Sequence, residues 1–322
     1  MIRGKTNDRA VPSERRVVVT GAAGLIGQNL IPRLKADGFT NIMAIDKHRA
    51  NSAILHELHP DIRLIVTDLA SDDGLQDMLS GADALVIGHA QIGGTDPEAF
   101  TTNNITATKR LVEAAKAAKV PFLIHISSSV VNSVALDFYT ESKKAQEAIV
   151  VASGMPCVIL RPTLMFGWFD RKHLGWLARF MARAPLFPVP GHGRYMRQPL
   201  YAGDFCAIIV ACLNRRPTGA YNISGLDRID YIDLIRRLRD TLKLNVPIVK
   251  VPYWLFSGML TAYAMVDKNP PFTTDQLKAL ATPEVFETID WPEIFGVTAT
   301  PLLEALAETY QHPRYAEIVL EF

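Results

Sequence analysis

A doubly wound α/β fold, a parallel sheet covered by helices on both faces, is what the sequence predicts, and three observations predict it. Short runs that are apolar throughout alternate with helical patterns over the first half of the chain, as strands buried on both faces require. Three glycines, Gly21, Gly24 and Gly27, follow the first of these runs and open the first helix in VVVTGAAGLIGQNLIPRL. That strand-to-helix context is what gives a glycine trio meaning. An acidic residue, Asp46, closes the second strand, 19 residues beyond Gly27.

RRVVVTG reads as the first strand and LIGQNLIPRLKADG as the helix after it, ending near Gly38. NIMAIDK is a second strand, DIRLIVTDL a third and DALVIGHA a fourth. TNNITATKRLVEAAKAAK is strongly helical, and VPFLIHISSS is a fifth strand. YTESKKAQEAIVVAS is another helix, and PCVILRPTLMFG a sixth strand. After about Gly167 the alternation fades and proline becomes dense, from Pro185, Pro188 and Pro190 to Pro270 and Pro271. GAYNIS is expected to return to the main sheet.

The glycines have a physical purpose. A tight strand-to-helix turn needs backbone angles that favour glycine. A second glycine lets a pyrophosphate approach the backbone, and a third lets the helix sit close on the sheet. Free N–H groups and the helix dipole then hold the phosphates. Asp46 is placed to accept from the ribose hydroxyls of an adenosine, which favours NAD, although Lys47 or Arg49 is able to receive the 2′-phosphate of NADP. Asp68 is placed either to face the adenine or to cap a helix. The expected organisation is a loose tail over 1–16, an NAD(P)-binding domain over 17–167, and a smaller irregular lobe over 168–322 that mainly takes the substrate.

Composition excludes other classes. A chain of 322 residues fits one or two domains of about 150 residues each. Its net charge of +1 gives no electrostatic basis for binding nucleic acid or an anionic membrane. Cys157, Cys206 and Cys212 form no CxxC pair and read as reduced thiols, in keeping with a cytoplasmic setting. The polar first sixteen residues lack the apolar core of a signal peptide. His89, His125, His173 and His192 are scattered without metal-ligand spacing, so no metal is expected.

Two stretches have two readings each. Residues 251–266, VPYWLFSGMLTAYAMV, fall short of the roughly 20 residues of a membrane span. They read first as a helix buried against a core, and second as an apolar lip facing a lipid-like substrate or a membrane surface. GWFDRKHLGWLARFMARAPLF reads first as a packed helix with a solvated charged face, and second as a lid.

Tyr139 and Lys143 stand four apart on a predicted helix and so share one face. A free phenol has a pKa of about 10. A neighbouring ammonium lowers it, so that the phenol exchanges a proton with a substrate hydroxyl or carbonyl. A nicotinamide beside it takes or gives the hydride, and a serine at the end of the fifth strand holds the same substrate oxygen.

The ordered series TGAAGLIG, NNITATKRLVEAA, IHISSS, YTESK and LRPTLMFG resembles the extended short-chain dehydrogenase/reductase superfamily and its NAD-dependent epimerase/dehydratase family, over nearly the whole chain. The resemblance implies a Rossmann fold and a Ser/Tyr/Lys site of Tyr139, Lys143 and Ser129, with Ser128 next in line and also touching substrate, and Ser127 structural. It implies cofactor contacts from Gly21, Gly24, Leu25, Ile26, Gly27, Asp46, Lys47, Asp68, Leu69, His89, Asn104, Lys143, Arg161 and Pro162. In GRYMRQPLYAGDFCAII, Arg197 matches an arginine that contacts a substrate diphosphate, and Asp204 a structural helix cap. A homodimer through the helices bearing Asn104 and Tyr139 is a further implication.

Two departures qualify the resemblance. Tyr139 comes only ten residues after Ser129, a short loop similar to that of atypical members, including relatives of a complex I accessory subunit. NPPFTTDQLKAL and FGVTATPLLEALAETY resemble that branch too, and no second phosphate-binding arginine is evident. The leading expectation is a nucleotide-sugar epimerase. Dehydration ranks lower, because SSSVVNS offers no acidic pair. The alternatives are an NADPH-dependent reductase of a lipid-like or small carbonyl substrate, and a protein that binds NAD(P)H without turnover, in sensing or assembly.

Overall fold

The computed structural model describes residues 11–134, 136–266, 274–281 and 286–321. The first half alternates as expected: β1 (Arg16–Thr20), α1 (Leu25–Ala36), β2 (Asn41–Asp46), α2 (Arg49–Leu58), β3 (Arg63–Val66), α3 (Leu75–Leu79), β4 (Ala84–Ile87), α4 (Pro97–Phe100), α5 (Ala107–Ala117), β5 (Leu123–Ile126), α6 (Phe138–Ala152) and β6 (Cys157–Pro162). The second half holds β7 (Met165–Phe166), α7 (His173–Arg183), β8 (Phe187–Pro190), β9 (Met196–Arg197), β10 (Leu200–Tyr201), α8 (Ala202–Arg215), β11 (Gly219–Ile223), β12 (Ile229–Asp230), α9 (Tyr231–Thr241), β13 (Ile248–Val251), α10 (Tyr253–Val266), α11 (Thr274–Ala281), α12 (Trp291–Phe295) and α13 (Leu302–Gln311).

Seven strands form one sheet in the order β11-β6-β5-β4-β1-β2-β3, every pair parallel. The two-residue period of a strand explains why these strands are apolar throughout. Val17 and Val19 pack on one face with Leu30 and Leu34 of α1 and Phe205 and Ile209 of α8. Val18, between them, packs on the other with Leu79 of α3, Leu111 and Ala115 of α5 and Val150 of α6. β11 closes the sheet against β6, so GAYNIS does return from the second half.

Four expectations need correction. Residues 1–10 of the expected tail lie outside the described residues, but the rest of that tail is anchored. The Arg15 side chain is buried, donating to the Leu213 carbonyl at 2.5 Å and lying over the Phe39 ring. The sixth strand is broken in two, because β6 stops at Pro162 and β7 pairs with β10 instead. The first turn of the TNNIT helix is π-helical, over Thr101–Thr106. Finally, the apolar helix α10 is not buried: Trp254 is 74% exposed and Met259 56%. Residues 269–273 of NPPFTTDQLKAL lie outside the described residues. Among the described residues no helix is long and apolar enough to cross a membrane.

Candidate active site

β1 ends at Thr20 and the chain turns at Gly21, whose φ of +65° is the left-handed region that glycine tolerates. A Cβ there would also stand 2.5 Å from the Gly88 carbonyl oxygen. At Gly27 a Cβ would meet the Ala22 backbone at 2.4 Å, so α1 lies on the turn only because this residue is glycine. Gly24 differs: the nearest atom to its Cβ position is the Gly21 oxygen, at 3.3 Å. It caps α1 beside Leu25 and Ile26, whose amides belong to the first turn that has no partner within its own helix.

Asp46 braces this turn. Its Oδ2 accepts from the Ala23 amide and its Oδ1 from the His48 amide, both at 2.9 Å. Each carboxylate oxygen keeps a further lone pair for a ligand.

A cavity of about 550 Å³ opens at the carboxyl ends of the strands, between β1 and β4, where the strand order reverses and such folds place ligands. Of the expected cofactor residues, Gly21, Gly24, Leu25, Asp46, Lys47, Asp68, Leu69 and His89 line it. Lys47 Nζ is held across its mouth by Asn103 Oδ1 at 2.5 Å and Asp68 Oδ2 at 3.3 Å. Asp68 lines the cavity, and its Oδ1 accepts from the Ala70 amide at 2.9 Å; that bond closes a turn and caps no helix, because α3 begins only at Leu75, behind Gly74. Arg49 begins α2.

His89 bridges Thr20 Oγ1 at 3.0 Å and Thr108 Oγ1 at 3.1 Å. Burial, with help from the Lys143 charge, lowers its pKa to about 3, so the ring is neutral.

The Tyr139 phenol has the Ser128 side chain as a polar neighbour. The family resemblance favoured Ser129; the serine beside the phenol is Ser128. The expected direction of the phenol's pKa also fails. Burial raises it above the ordinary tyrosine value, and the Ser128 side chain only partly offsets this. Lys143, one turn on, is fully buried and donates from Nζ to the Ile126 carbonyl at 3.0 Å. Burial lowers its pKa to about 7, against the attraction of Glu147.

Asn104 ties this pair to the cavity. Its Oδ1 accepts from the Gln91 amide at 2.6 Å and its Nδ2 donates to Ser142 Oγ at 2.8 Å. Ser142 Oγ in turn donates to the Tyr139 carbonyl at 2.8 Å. Asn104 therefore positions the Tyr139 turn from a fully buried site.

Two expected contact residues, Arg161 and Arg197, have other partners. Arg161, just before Pro162 at the end of β6, forms a two-pronged ion pair with Glu147, at 2.8 and 2.6 Å. Ser127 Oγ donates to the same carboxylate at 2.5 Å, so Ser127 is structural as expected. Arg197 is buried and donates to the carbonyls of Met196 and Leu280. Asp204 is a cap, but for the segment entering α13: it accepts from the Thr300 amide at 3.1 Å and hydroxyl at 2.5 Å.

Several cavity residues escaped the sequence reading: Asn51, Gln91, Asn103, residues 169–173, Leu320 and Glu321. Only residues 169–173 carried a signal, as the aromatic and basic approach to α7. Asp170 there accepts from the amides of Lys172, His173 and Gly175 and so fixes the cavity wall.

A family model described as "NAD dependent epimerase/dehydratase family" matches residues 17–224. Among curated proteins, the chain is 26% identical to a ceramide reductase of Caulobacter vibrioides, over 91% of this chain and 88% of that protein. It is 23% identical to the human sterol-4-alpha-carboxylate 3-dehydrogenase, decarboxylating, over 93% of this chain and 89% of that one. Among solved structures, it matches a UDP-glucuronic acid 4-epimerase from Bacillus cereus with a TM-score of 0.71 and 23% identity, covering 92% of this chain and 98% of that one.

Proposed function

The chain belongs to the NAD-dependent epimerase/dehydratase family, and from that premise we propose that it is an oxidoreductase acting on a carbonyl or secondary hydroxyl of an apolar, lipid-like substrate. The observation that carries this choice over a nucleotide sugar is Arg197. The residue expected to hold a substrate diphosphate is buried and committed to two backbone carbonyls. The exposed apolar helix α10 and the lipid substrates named by the ceramide reductase and sterol dehydrogenase relatives agree with it.

The cavity fits a nicotinamide dinucleotide: Gly24 leaves room at the N-terminus of α1, and Asp46 stands at the second strand with lone pairs to spare. When bound, the reduced nicotinamide supplies the hydride. Tyr139 is the proton donor in our reading. Its raised pKa keeps the phenol protonated at neutral pH, which suits carbonyl reduction. The proton passes from Tyr139 Oη to the substrate oxygen, and the Ser128 hydroxyl, beside the same phenol, aligns that oxygen. Lys143 stands on the same helix face and answers the negative charge left on Tyr139.

A panel assay separates this from epimerisation. Purified protein is mixed with NADH or NADPH and either a long-chain keto lipid, a 3-ketosteroid or a UDP-hexose. Loss of reduced cofactor with a keto lipid or the ketosteroid is the expected result. Interconversion of UDP-hexoses without net cofactor oxidation would overturn it and establish the epimerase.

A further inference from the structure

Leu320 and Glu321 form part of the wall of the dinucleotide cavity, although they lie well beyond the family-matched region 17–224. Their presence there is built, not incidental. Asn51 on α2 grips the Glu321 backbone in both directions: its Nδ2 donates to the Glu321 carbonyl at 3.0 Å, and its Oδ1 accepts from the Glu321 amide at 2.8 Å. On the other side Arg171 Nη1 donates to the Leu320 carbonyl at 3.2 Å. Asn51 and Arg171 themselves line the cavity. The Leu320 side chain is buried among Leu58, Trp168, Phe169 and Tyr315, and Arg314 Nη2 anchors the segment's start on the Leu58 carbonyl at 2.7 Å.

The segment thus bridges the two walls of the cavity, from α2 to the loop before α7. We propose that residues 312–321 are a clasp that retains the bound dinucleotide, with Asn51 and Arg171 as its latches. A segment held by a few hydrogen bonds and one apolar anchor opens locally without unfolding the sheet. A ligand enclosed by it leaves only when it opens, so the clasp acts on the dissociation rate more than on association. By linkage, a dinucleotide that touches the closed clasp also stabilises it. The clasp rests on the proposal that this cavity takes a nicotinamide dinucleotide.

The test is stopped-flow displacement of bound NADH, or NADPH if only that binds, followed by cofactor fluorescence in the full chain. Three variants are compared with the parent: Asn51→Ala, Arg171→Ala and Leu320→Ala. Circular dichroism and melting identify those that fold, and Arg171→Ala changes only a loop side chain. Loss of a latch is expected to raise the dissociation rate about tenfold, the scale of one or two net hydrogen bonds, with a smaller change in association. Amide exchange over 315–321 is expected to slow when NADH binds. Unchanged dissociation rates in folded variants would overturn the clasp while leaving the cavity assignment intact. A parent protein that binds neither NADH nor NADPH would overturn the cavity assignment, and the clasp with it.

Discussion

Lys143 Nζ donates to the Ile126 carbonyl, 3.0 Å away, at the end of β5 and immediately before the three serines. This bond pins α6 to the strand end, and one turn earlier on the same helix Tyr139 meets Ser128. If Tyr139 moves the proton, Tyr139→Phe lowers kcat by about 10² to 10⁴-fold and leaves dinucleotide affinity nearly unchanged. Ser128→Ala has a smaller effect in the same direction, and Ser129→Ala the least. Steady-state kinetics with parallel NADH titration reads all three.

Gly21 and Gly24 separate two jobs that one motif combines. Gly21→Ala places a side chain at a φ of +65° and against the Gly88 carbonyl. A loss of at least about 2 kcal/mol of stability is expected, from strain and overlap together, seen as a lower urea midpoint. Gly24→Ala meets only the Gly21 oxygen, at 3.3 Å. It folds with near-parental stability but binds dinucleotide more weakly, because its new methyl group occupies the approach to the α1 amides. Equal dinucleotide affinity in Gly24→Ala and the parent would remove the pyrophosphate from this turn.

Periodicity and glycine spacing made the seven-strand sheet legible, because both express local backbone needs. β1 shows why: Val17, Val18 and Val19 must each find an apolar face, and only a sheet covered on both sides offers two. The site was legible where a motif is contiguous, as in Tyr139 and Lys143. It was not legible where partners come from remote segments. Nothing near Asn51 in the sequence signals that its amide pairs with Glu321. Nothing in MRQPL shows that Arg197 is spent on the Leu280 carbonyl. The direction of the Tyr139 shift failed for a related reason: spacing puts an ammonium one turn away, but burial, the larger effect here, is a property of the assembled core.

Arg161 belongs to the fold in this structure. It holds Glu147, whose side chain is 11% exposed, with Ser127 on the same carboxylate. Arg161→Ala takes the two-pronged partner from a mostly buried carboxylate, which keeps only the Ser127 hydroxyl on it, and is expected to cost about 3 kcal/mol. The double variant Arg161→Met with Glu147→Met recovers most of that loss, since it removes both charges. Chemical denaturation of the two variants checks this. A raised KM for dinucleotide in Arg161→Ala, without lost stability, would return Arg161 to the cofactor.

His89 predicts how stability depends on pH. Held between Thr20 and Thr108 and half-buried at the cavity wall, its imidazole has its pKa lowered from 6.5 to about 3. Between those values the unfolded chain binds a proton that the native state does not, so this group's contribution is complete above pH 6.5 and is lost as the pH falls toward 3. His125, buried and also lowered, acts with the same sign. The parent is therefore expected to lose stability steadily from about pH 7 to about pH 5, by up to a few kcal/mol. His89→Asn has two effects. It costs about 1–3 kcal/mol at pH 8, through the loss of the two hydrogen bonds to Thr20 and Thr108, and it flattens, without abolishing, the acid limb that His125 still supports. Urea midpoints measured across that range decide the matter: parallel curves for parent and variant would mean that His89 is charged in the folded protein.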